Sequence, residues 1–250
     1  MRRILVVGIG AGDPAHVTLQ AVAALRRADV LFELRREATE LTVLRREICA
    51  AHDVGAVVVP IDEPRRDRAA DDYAGAVSEW RDRRADVWEG AIETTLGEDG
   101  VGAFLAWGDP SLYDSTIAVL DEIRDRGRVG FATEVIPGVS SLHALTARHG
   151  IALNRVAGAV QITTGRRLAE RGLPEGVPDV AVMLDGRCAF TTVTEPGVEI
   201  FWGAYLGSPE ELLIAGPLAE VADEIVRVRA QARERRGWVM DTYLLRRAVQ

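Results

Sequence analysis

The sequence predicts an α/β protein made of two α/β domains, and three observations support this. Short apolar runs such as Ile4–Val7 and Val101–Trp107 alternate with stretches of helical periodicity in the first half, as in a parallel sheet with crossover helices. After Pro137-Gly138 the strand-like runs follow one another more closely, which favours a mixed sheet. A chain of 250 residues is long enough for two cores. We therefore expect domains at residues 1–136 and 137–250.

The first domain is expected to contain a parallel sheet with helices between its strands. Thr18 is a suitable N-cap for the first helix, which should end near Arg27. Apolar residues at helical spacing predict a long amphipathic helix over Tyr73–Leu96 and another with Ile117–Ile123 on its inner face. The predicted strands are Ile4–Val7, Asp29–Leu34, Val54–Val59 closed by Pro60, Val101–Trp107 and the apolar run before Pro137.

The second domain is expected to begin with a helix after Pro137-Gly138 that Gly150 closes as its C-cap. A second, long and highly charged helix is predicted over Pro217–Arg236. The strand-like runs are Val160–Thr164, Val180–Leu184, Glu199–Tyr205, Leu212–Ala215 and Trp238–Leu245.

Composition and charge are those of an ordinary globular protein, and they exclude several classes. The net charge of −8 argues against a general nucleic-acid binder, which would carry a basic face. All 30 basic residues are arginine, so a lysine Schiff base or lysine nucleophile is excluded. Cys49 and Cys188 lack metal-ligand spacing, and no apolar run approaches the ~20 residues of a membrane span. We expect a soluble, cytoplasmic protein with reduced thiols and no metal.

Two glycine-rich loops, each at the end of a predicted strand, share the sequence Gly-Asp-Pro. The first reads GIGAGDP over Gly8–Pro14, and the second reads WGDP over Trp107–Pro110. A dinucleotide fingerprint needs glycine where Asp13 stands, and a Walker loop needs a lysine. Carboxylates and backbone carbonyls suit a cation and ribose hydroxyls, and small residues permit close approach. The loops therefore favour S-adenosylmethionine (SAM), which has a sulfonium and no phosphate, over NAD or ATP.

Four segments in chain order resemble the motifs of one enzyme family. They read VVGIGAGDPAHVTLQAVAALRRADVLF, FLAWGDPSLYDS, EVIPGVSSLHALTARHGIALN and LLIAGPLAEV, and they are spread across the chain from Val6 to Val221. From them the chain is identified as a member of the tetrapyrrole (class III) SAM-dependent methyltransferases. The resemblance implies two α/β domains with SAM in the cleft between them, S-adenosylhomocysteine as the product of the cofactor, and a homodimer.

Further segments are similar to the members of this family that act in aerobic cobalamin synthesis. They include ITTGRRLAERGLPEG, VMLDGRCAF, WGAYLGSPEE and the ending GWVMDTYLLRR. The resemblance implies an anionic tetrapyrrole substrate, precorrin-5, that is methylated at C-1. It also implies that water cleaves the C-1 acetyl group, which leaves as acetate.

The resemblance implies cofactor-binding residues in both domains. The loop after the fourth strand would hold the folded SAM, the two serines after Pro137-Gly138 would contact it, and apolar strand ends would lie near the adenine. The family often has proline where Ala11 stands, so a contact at that position would be made by alanine. The expected cofactor residues are Ala11, Trp107, Gly108, Asp109, Leu112, Ser140, Ser141, Met183, Leu184, Ala215 and Gly216.

Deacetylation requires an activated water and stabilisation of charge on oxygen. Candidates for these catalytic roles are Asp13 and His16 in the first loop and Tyr113 beside the second. Some relatives use an aspartate after the second strand to handle protons. This chain has Leu34 there, and Glu33 one place earlier would point the other way on a strand.

A substrate with many carboxylates calls for guanidinium groups. Arg166 and Arg167 are the substrate-binding pair that we expect, and Arg35-Arg36 and Arg65-Arg66 are further candidates. Most arginine runs in this chain alternate with acids, as on solvated helix faces.

Other functions remain open at this level. Within the fold, the substrate could be another corrinoid precursor, ribosomal RNA or a modified histidine on a translation factor. The acidic net charge and the lack of interleaved basic and aromatic residues argue against RNA. A non-catalytic tetrapyrrole carrier is the alternative from a different class, although a carrier has no need of two intact Gly-Asp-Pro loops.

Overall fold

The computed structural model describes residues 1–35, 39–64 and 73–248 of the chain. The chain forms two compact units, Met1–Val139 and Ser140–Gln250, and each unit has its own five-stranded sheet. The first sheet is parallel and the second is mixed. The predicted fold class, two α/β domains of these two kinds, is confirmed.

The first unit is a parallel sheet with helices on both faces. Its elements are β1 (Arg2–Gly8), α1 (Leu19–Arg26), β2 (Val30–Arg35), α2 (Thr39–Ala51), β3 (Val57–Asp62), α3 (Tyr73–Thr95), β4 (Val101–Ala106), α4 (Thr116–Arg126) and β5 (Phe131–Ile136). The strand order is β3-β2-β4-β1-β5, and every neighbouring pair is parallel. The interior strand β1 is buried on both faces, as its apolar sequence predicts.

Local signals in the sequence set several of these boundaries. The Thr18 hydroxyl accepts a hydrogen bond from the Ala21 N–H (3.0 Å), and Arg27 is the C-cap of α1, so both predicted helix ends are confirmed. Pro60 was expected to close the third strand, but it lies inside β3. That expectation is wrong because β3 is an edge strand, where the missing proline N–H costs no ladder hydrogen bond on the open side. The helix α2 was not predicted.

The two faces of this sheet bury separate cores. Ile4 and Val6 of β1 join the core under α3 and α4, whereas Leu5 and Val7 join the core under α1 and α2. In the first core Phe104 stacks between the Phe32 and Trp88 rings, with ring centroids 4.7 and 4.4 Å away. The aromatic stack fixes α3 against β2 and β4.

The neighbouring strands β1 and β4 are followed by helices on opposite faces of the sheet. β1 leads to α1, which packs with the second core, and β4 leads to α4, which packs with the first. In open α/β sheets a crevice opens outside the carboxyl ends of the strands at such a point, and ligands bind there. Both Gly-Asp-Pro loops begin at this position.

The second unit is a mixed sheet packed against helices. Its elements are α5 (Ser141–His149), β6 (Val160–Thr164), α6 (Gly165–Arg171), β7 (Asp179–Met183), β8 (Val198–Ala204), β9 (Leu212–Pro217), α7 (Leu218–Arg236) and β10 (Asp241–Arg247). The strand order is β6-β7-β10-β8-β9, in which only β6 and β7 are parallel. All five predicted strands are present, although β10 begins three residues later than expected.

The helix ends of the second unit agree with the sequence in part. Gly150 ends α5 in the left-handed conformation with φ of 66°, as predicted. The short helix α6 was not predicted.

The core of the second unit centres on Trp202, Tyr243 and Phe190, which are fully buried. Within the described residues, no helix has the length and apolar character needed to cross a bilayer.

A buried arginine fastens three segments of the first unit together. Arg84 of α3 is 1% exposed and lies between the Trp80 and Trp88 rings, 4.6 and 4.7 Å from their centroids. Its Nε donates to Glu63, which follows β3, and its Nη1 donates to the Ser115 hydroxyl at the start of α4, both at 2.7 Å. A charge this deeply buried is tolerated only with such partners.

We expect Arg84→Met to destabilise the first unit by about 3–5 kcal/mol, because it removes the buried guanidinium that binds the Glu63 carboxylate and the Ser115 hydroxyl. Urea unfolding measures the loss. The neighbouring Arg83, whose side chain is 52% exposed, gives the matched control, and Arg83→Met should change stability by less than about 0.5 kcal/mol. Adding Glu63→Gln to Arg84→Met should restore part of the stability. A single Arg84→Met variant as stable as the parent protein would contradict this account.

Candidate functional site

The loops after β1 and β4 are hydrogen-bonded to each other. The Gly108 N–H donates to the Gly10 carbonyl (2.8 Å), and the Gly10 N–H donates back to the Gly108 carbonyl (3.4 Å), as a two-residue antiparallel bridge. Gly10 has φ of 79° and Gly108 has φ of 64°, a backbone region that glycine enters at little cost. The structure therefore brings the two predicted loops together at the carboxyl edge of the sheet.

The loop after β5 is packed against both of them with no room for side chains. A Cβ on Gly138 would lie 2.1 Å from the Gly108 carbonyl oxygen, and a Cβ on Gly8 would lie 2.6 Å from the Gly138 nitrogen. Only glycine fits at either position. Three consecutive strands of the sheet, β4, β1 and β5, thus end in loops that touch backbone to backbone.

Both Gly-Asp-Pro sequences form the same local turn. Oδ1 of Asp13 accepts from the Ala15 N–H (2.8 Å), and Oδ1 of Asp109 accepts from the Ser111 N–H (2.9 Å). In each case the aspartate accepts from the N–H two residues on, as aspartate commonly does in turns, and the intervening proline fits there because its missing N–H is not needed. Asp109 also accepts from the Ser111 hydroxyl and, through Oδ2, from the Gly138 N–H at 2.9 Å. Both aspartates therefore shape their loops.

Three predicted residues of these loops have features expected of a functional site. Among the described residues, Nδ1 of His16 and Nε1 of Trp107 are buried without a hydrogen-bond partner, which is costly unless a ligand or water satisfies them. Tyr113 has φ of 54° while its side chain is 45% exposed. A non-glycine residue in this conformation stores strain, and such strain clusters at functional sites.

The remaining predicted residues of the loops are accessible or buried as follows. Ala11 and Leu112 are half-buried, and the Leu112 N–H donates to the Asp109 carbonyl at 3.1 Å. Within the described residues, no group of His, Cys, Asp and Glu side chains has the arrangement of a metal site. Small residues, backbone polar groups and aromatic or apolar side chains dominate, which suits a cofactor with a ribose and a thioether or sulfonium.

The second unit places Ser140 and Ser141 at the start of α5. The Ser140 hydroxyl is the N-cap, accepting from the His143 N–H at 3.4 Å, and it also lies 2.7 Å from Nδ1 of His143. Ser141 is half-buried in the first turn. Capping by itself explains a serine at position 140, so the cofactor contact of both residues stays a prediction.

Met183 ends β7 at the same edge of the second sheet as the start of α6, and Leu184 follows it. Thr164, the N-cap of α6, is the strand partner of Met183. Leu184 has φ of 54°, and its side chain is 66% exposed. An exposed apolar side chain on a strained backbone is what a ligand contact would explain.

Asp185 holds the loop that follows Leu184, and the sequence analysis missed it. Its carboxylate accepts from the Arg187 and Ala189 N–H groups (2.9 and 2.6 Å) and from the Tyr243 hydroxyl (2.7 Å). A Cβ on Gly165 would lie 2.4 Å from the Asp185 side chain, so the start of α6 packs directly on this turn. The Asp-Gly pair in VMLDGRCAF was the only local signal for it.

The other predicted residues of the second unit are spread along the sheet. Arg166 and Arg167 are exposed in the first turn of α6, and the Arg167 N–H donates to the Thr164 hydroxyl at 3.4 Å. Ala215 and Gly216 lie in β9, three strands from Met183 in the order of the sheet, which is about 14 Å. The structure therefore brings the arginines, but not Ala215 and Gly216, next to Met183.

Glu33 is a buried, ion-paired residue of β2. It is 7% exposed, and both its oxygens accept from Arg46 of α2 at 2.7 Å. The hydrogen bond from Arg46 is the main cause that lowers the pKa of Glu33 below its usual range. Leu34, the next residue of β2, faces the opposite side of the sheet and joins the core under α3 and α4. The adjacent candidates Arg36, Arg65 and Arg66 lie outside the described residues.

Comparisons with known proteins define the class of protein. The family model described as Tetrapyrrole (Corrin/Porphyrin) Methylases matches residues 3–222. The chain belongs to this family, which confirms the membership predicted from the four motifs.

Two relatives are similar over nearly the whole chain, and a third shares the fold. The chain is 49% identical to a protein of Sinorhizobium sp. named precorrin-6A synthase (deacetylating), over 100% of this chain and 97% of the relative. A crystal structure of a cobalamin synthesis related protein from Corynebacterium diphtheriae is 36% identical, with a TM-score of 0.85 over 98% of each chain. Uroporphyrin-III C-methyltransferase from Thermus thermophilus, solved with S-adenyl homocysteine, is 19% identical and shares the fold with a TM-score of 0.61 over 97% of this chain and 91% of that one.

We expect Arg46→Met to reduce stability at pH 7 but to have less effect at pH 3. The pKa of Glu33 is lowered in the folded state from a usual value of 4.5, so the pair stabilises the protein above about that pH. Its contribution is lost as the pH falls through the lowered value. Urea midpoints at the two pH values measure the difference. Arg124→Met, which breaks an exposed pair with Asp121, is the control. A deficit as large at pH 3 as at pH 7 would contradict this assignment.

Proposed function

We propose that the protein is a SAM-dependent C-methyltransferase of cobalamin biosynthesis with the activity of a precorrin-6A synthase (deacetylating). The observation that carries the proposal is the 49% identity with such an enzyme over the whole chain. The joined loops after β1 and β4 support it, because they provide a cofactor site of the expected chemistry. The proposed substrate is precorrin-5, an anionic tetrapyrrole, and the proposed assembly is a homodimer.

The residues that would hold SAM lie largely in the loops described above. In the first unit, Ala11, Trp107, Gly108, Asp109 and Leu112 offer backbone groups and apolar side chains, and the glycine contacts leave no room for further side chains there. In the second unit we propose Ser140, Ser141, Met183, Leu184, Ala215 and Gly216. When bound, SAM supplies an electrophilic methyl group on a sulfonium. The fit rests on small residues and exposed apolar side chains, and on the two loops lacking the phosphate-binding features of nucleotide sites.

Methyl transfer asks the protein mainly to align two reactants. The nucleophile is an electron-rich carbon of the tetrapyrrole, and a carbon–carbon bond forms as the carbon–sulfur bond breaks with its electron pair going to sulfur. Holding donor and acceptor in line removes most of the entropic cost of the reaction. The tight packing of the loops after β4, β1 and β5 provides such a rigid support for the donor.

Deacetylation requires water and a group that takes its proton. Water adds to the acetyl carbonyl, the carbon–carbon bond to the macrocycle breaks with its electron pair staying on the macrocycle, and acetate leaves. The buried, unpartnered Nδ1 of His16 is the proposed proton acceptor. Asp13 holds the turn that carries His16, whose N–H donates to the Asp13 carbonyl at 2.9 Å. Tyr113 is the proposed donor to the developing oxyanion.

The substrate carboxylates need cationic partners. Arg166 and Arg167 are exposed at the edge of the second sheet where the parallel strands β6 and β7 end, on the same side as Met183 and Leu184. Their guanidinium groups would bind two carboxylates of the tetrapyrrole with planar, paired hydrogen bonds.

Incubation of the protein with SAM and precorrin-5 tests the proposal. We expect a product whose mass shows methyl gain with acetyl loss, together with equimolar acetate and S-adenosylhomocysteine. Methylation without acetate would contradict the deacetylating activity. Calorimetry that detects no SAM binding at tens of micromolar would instead favour a tetrapyrrole carrier.

His16→Ala should slow acetate release about a hundredfold, because a general base contributes factors of that order, while S-adenosylhomocysteine affinity stays within about twofold. Asp13→Asn keeps Oδ1 as an acceptor for Ala15 and should have a smaller effect. Asp125→Asn, an exposed change on α4, is the control. Full acetate release by both His16→Ala and Asp13→Asn at saturating SAM would exclude this catalytic assignment.

A further inference from the structure

We propose that Asp109 is a positioning residue whose carboxylate clasps the loop after β5 to the loop after β4, and that it does not contact the charged groups of the methyl donor. The inference rests on the proposed function, because it concerns the same cofactor loop. It assigns the negative charge in the second Gly-Asp-Pro sequence a role that differs from recognition of a cation.

The carboxylate of Asp109 is engaged by donors of the protein itself. Oδ1 accepts from the N–H and the hydroxyl of Ser111, and Oδ2 accepts from the Gly138 N–H at 2.9 Å. Hydrogen bonds from N–H and O–H groups to a carboxylate are among the stronger ones in proteins. The side chain therefore points along the loop and across to Gly138.

The loops after β4 and β5 are in close backbone contact. A Cβ on Gly138 would lie 2.1 Å from the Gly108 carbonyl oxygen and 2.8 Å from the Gly8 Cα. These distances show that the two backbones pack directly against each other, and a polar contact between the loops would fix their register. The Asp109–Gly138 hydrogen bond, which joins residues 29 positions apart, is the one side-chain link between these loops among the described residues.

The effect of the clasp extends to the loop after β1. Gly108 exchanges two hydrogen bonds with Gly10, and a Cβ on Gly10 would lie 2.5 Å from the His16 Cβ. A shift of Gly108 therefore moves the segment that carries His16. Loss of the clasp should weaken every contact that the cofactor makes with these loops, whichever cofactor group is concerned.

A direct contact and a positioning role predict different patterns across four ligands. SAM carries a sulfonium, S-adenosylhomocysteine has the same ammonium but a neutral thioether, methylthioadenosine lacks the amino acid part, and its deoxyribose analogue lacks a ribose hydroxyl as well. A contact to the sulfonium, the ammonium or the ribose would make Asp109→Asn most harmful for the ligands that carry that group. Positioning predicts the same factor for all four.

Asp109→Asn is the direct test, with affinities measured by calorimetry. Asparagine keeps an oxygen for Ser111 but turns an NH2 group towards the Gly138 N–H, so two donors face each other. We expect affinity to fall about thirtyfold for each of the four ligands. Ser111→Ala removes only the hydroxyl donor and should change the affinities by less than about twofold.

Gly138→Ala should reproduce the effect, because its Cβ forces the same two loops apart. Gly130→Ala is the matched control, since nothing lies within 4 Å of a Cβ there. The double variant Asp109→Asn/Gly138→Ala should bind little worse than either single variant, because both break one contact. Thermal unfolding of each variant confirms that it is folded, and if Asp109→Asn does not fold, Gly138→Ala with the four ligands carries the test.

Unequal losses of affinity among the four ligands would contradict the positioning role of Asp109. A loss of affinity at least tenfold greater for SAM than for S-adenosylhomocysteine would place Asp109 against the sulfonium. A loss at least tenfold greater for S-adenosylhomocysteine than for methylthioadenosine would place it against the ammonium. The same difference between methylthioadenosine and its deoxy analogue would place it against the ribose. Multiplying effects in the double variant would also contradict it. A parent protein that binds none of the four ligands would instead contradict the proposed function.

Discussion

The candidate site depends on one constraint, the backbone contact between loops that leave three adjacent strands. Gly8 and Gly138 approach so closely that neither has room for a Cβ, and Gly10 and Gly108 exchange hydrogen bonds next to them. Such contacts are available only where parallel strands end side by side. The order β4-β1-β5 provides that arrangement, so the topology of the sheet and the glycines of the loops depend on each other.

The strands and most helix ends were predictable because their signals are local. Apolar runs gave the strands, Thr18 gave the start of α1, and Gly150 gave the end of α5. Where tertiary position decides, the sequence alone failed. A proline would end a central strand but is tolerated in an edge strand such as β3, where Pro60 lies. The residues around Pro60 do not indicate whether their strand lies at the edge of the sheet. The helix α2 did carry a local signal, because Leu41, Leu44 and Ile48 recur at helical spacing, but the sequence analysis did not use it.

The two Gly-Asp-Pro loops were predicted, but the structural role of their aspartates was not. Sequence reasoning read the acidic residues as partners for a cation. The structure shows Asp13 and Asp109 accepting N–H groups two residues on, which is the local turn that an aspartate side chain makes with its own backbone. The bond from Gly138 to Asp109 spans 29 positions, and no local pattern predicts it. Buried Arg84 was also missed, because it sits among alternating charges that suggest a solvated helix face.

A third aspartate repeats the device in the second unit. Asp185 accepts from the N–H two residues on, and again from Ala189, directly after the strand that ends at Met183. Each of these turns is thus fixed before any ligand binds, which lowers the ordering cost of binding. Tyr113 and Leu184, near these turns, have exposed side chains on a backbone with positive φ. On the proposed assignment, the aspartates build the loops, and recognition of the ligand would fall to backbone groups and to these exposed side chains.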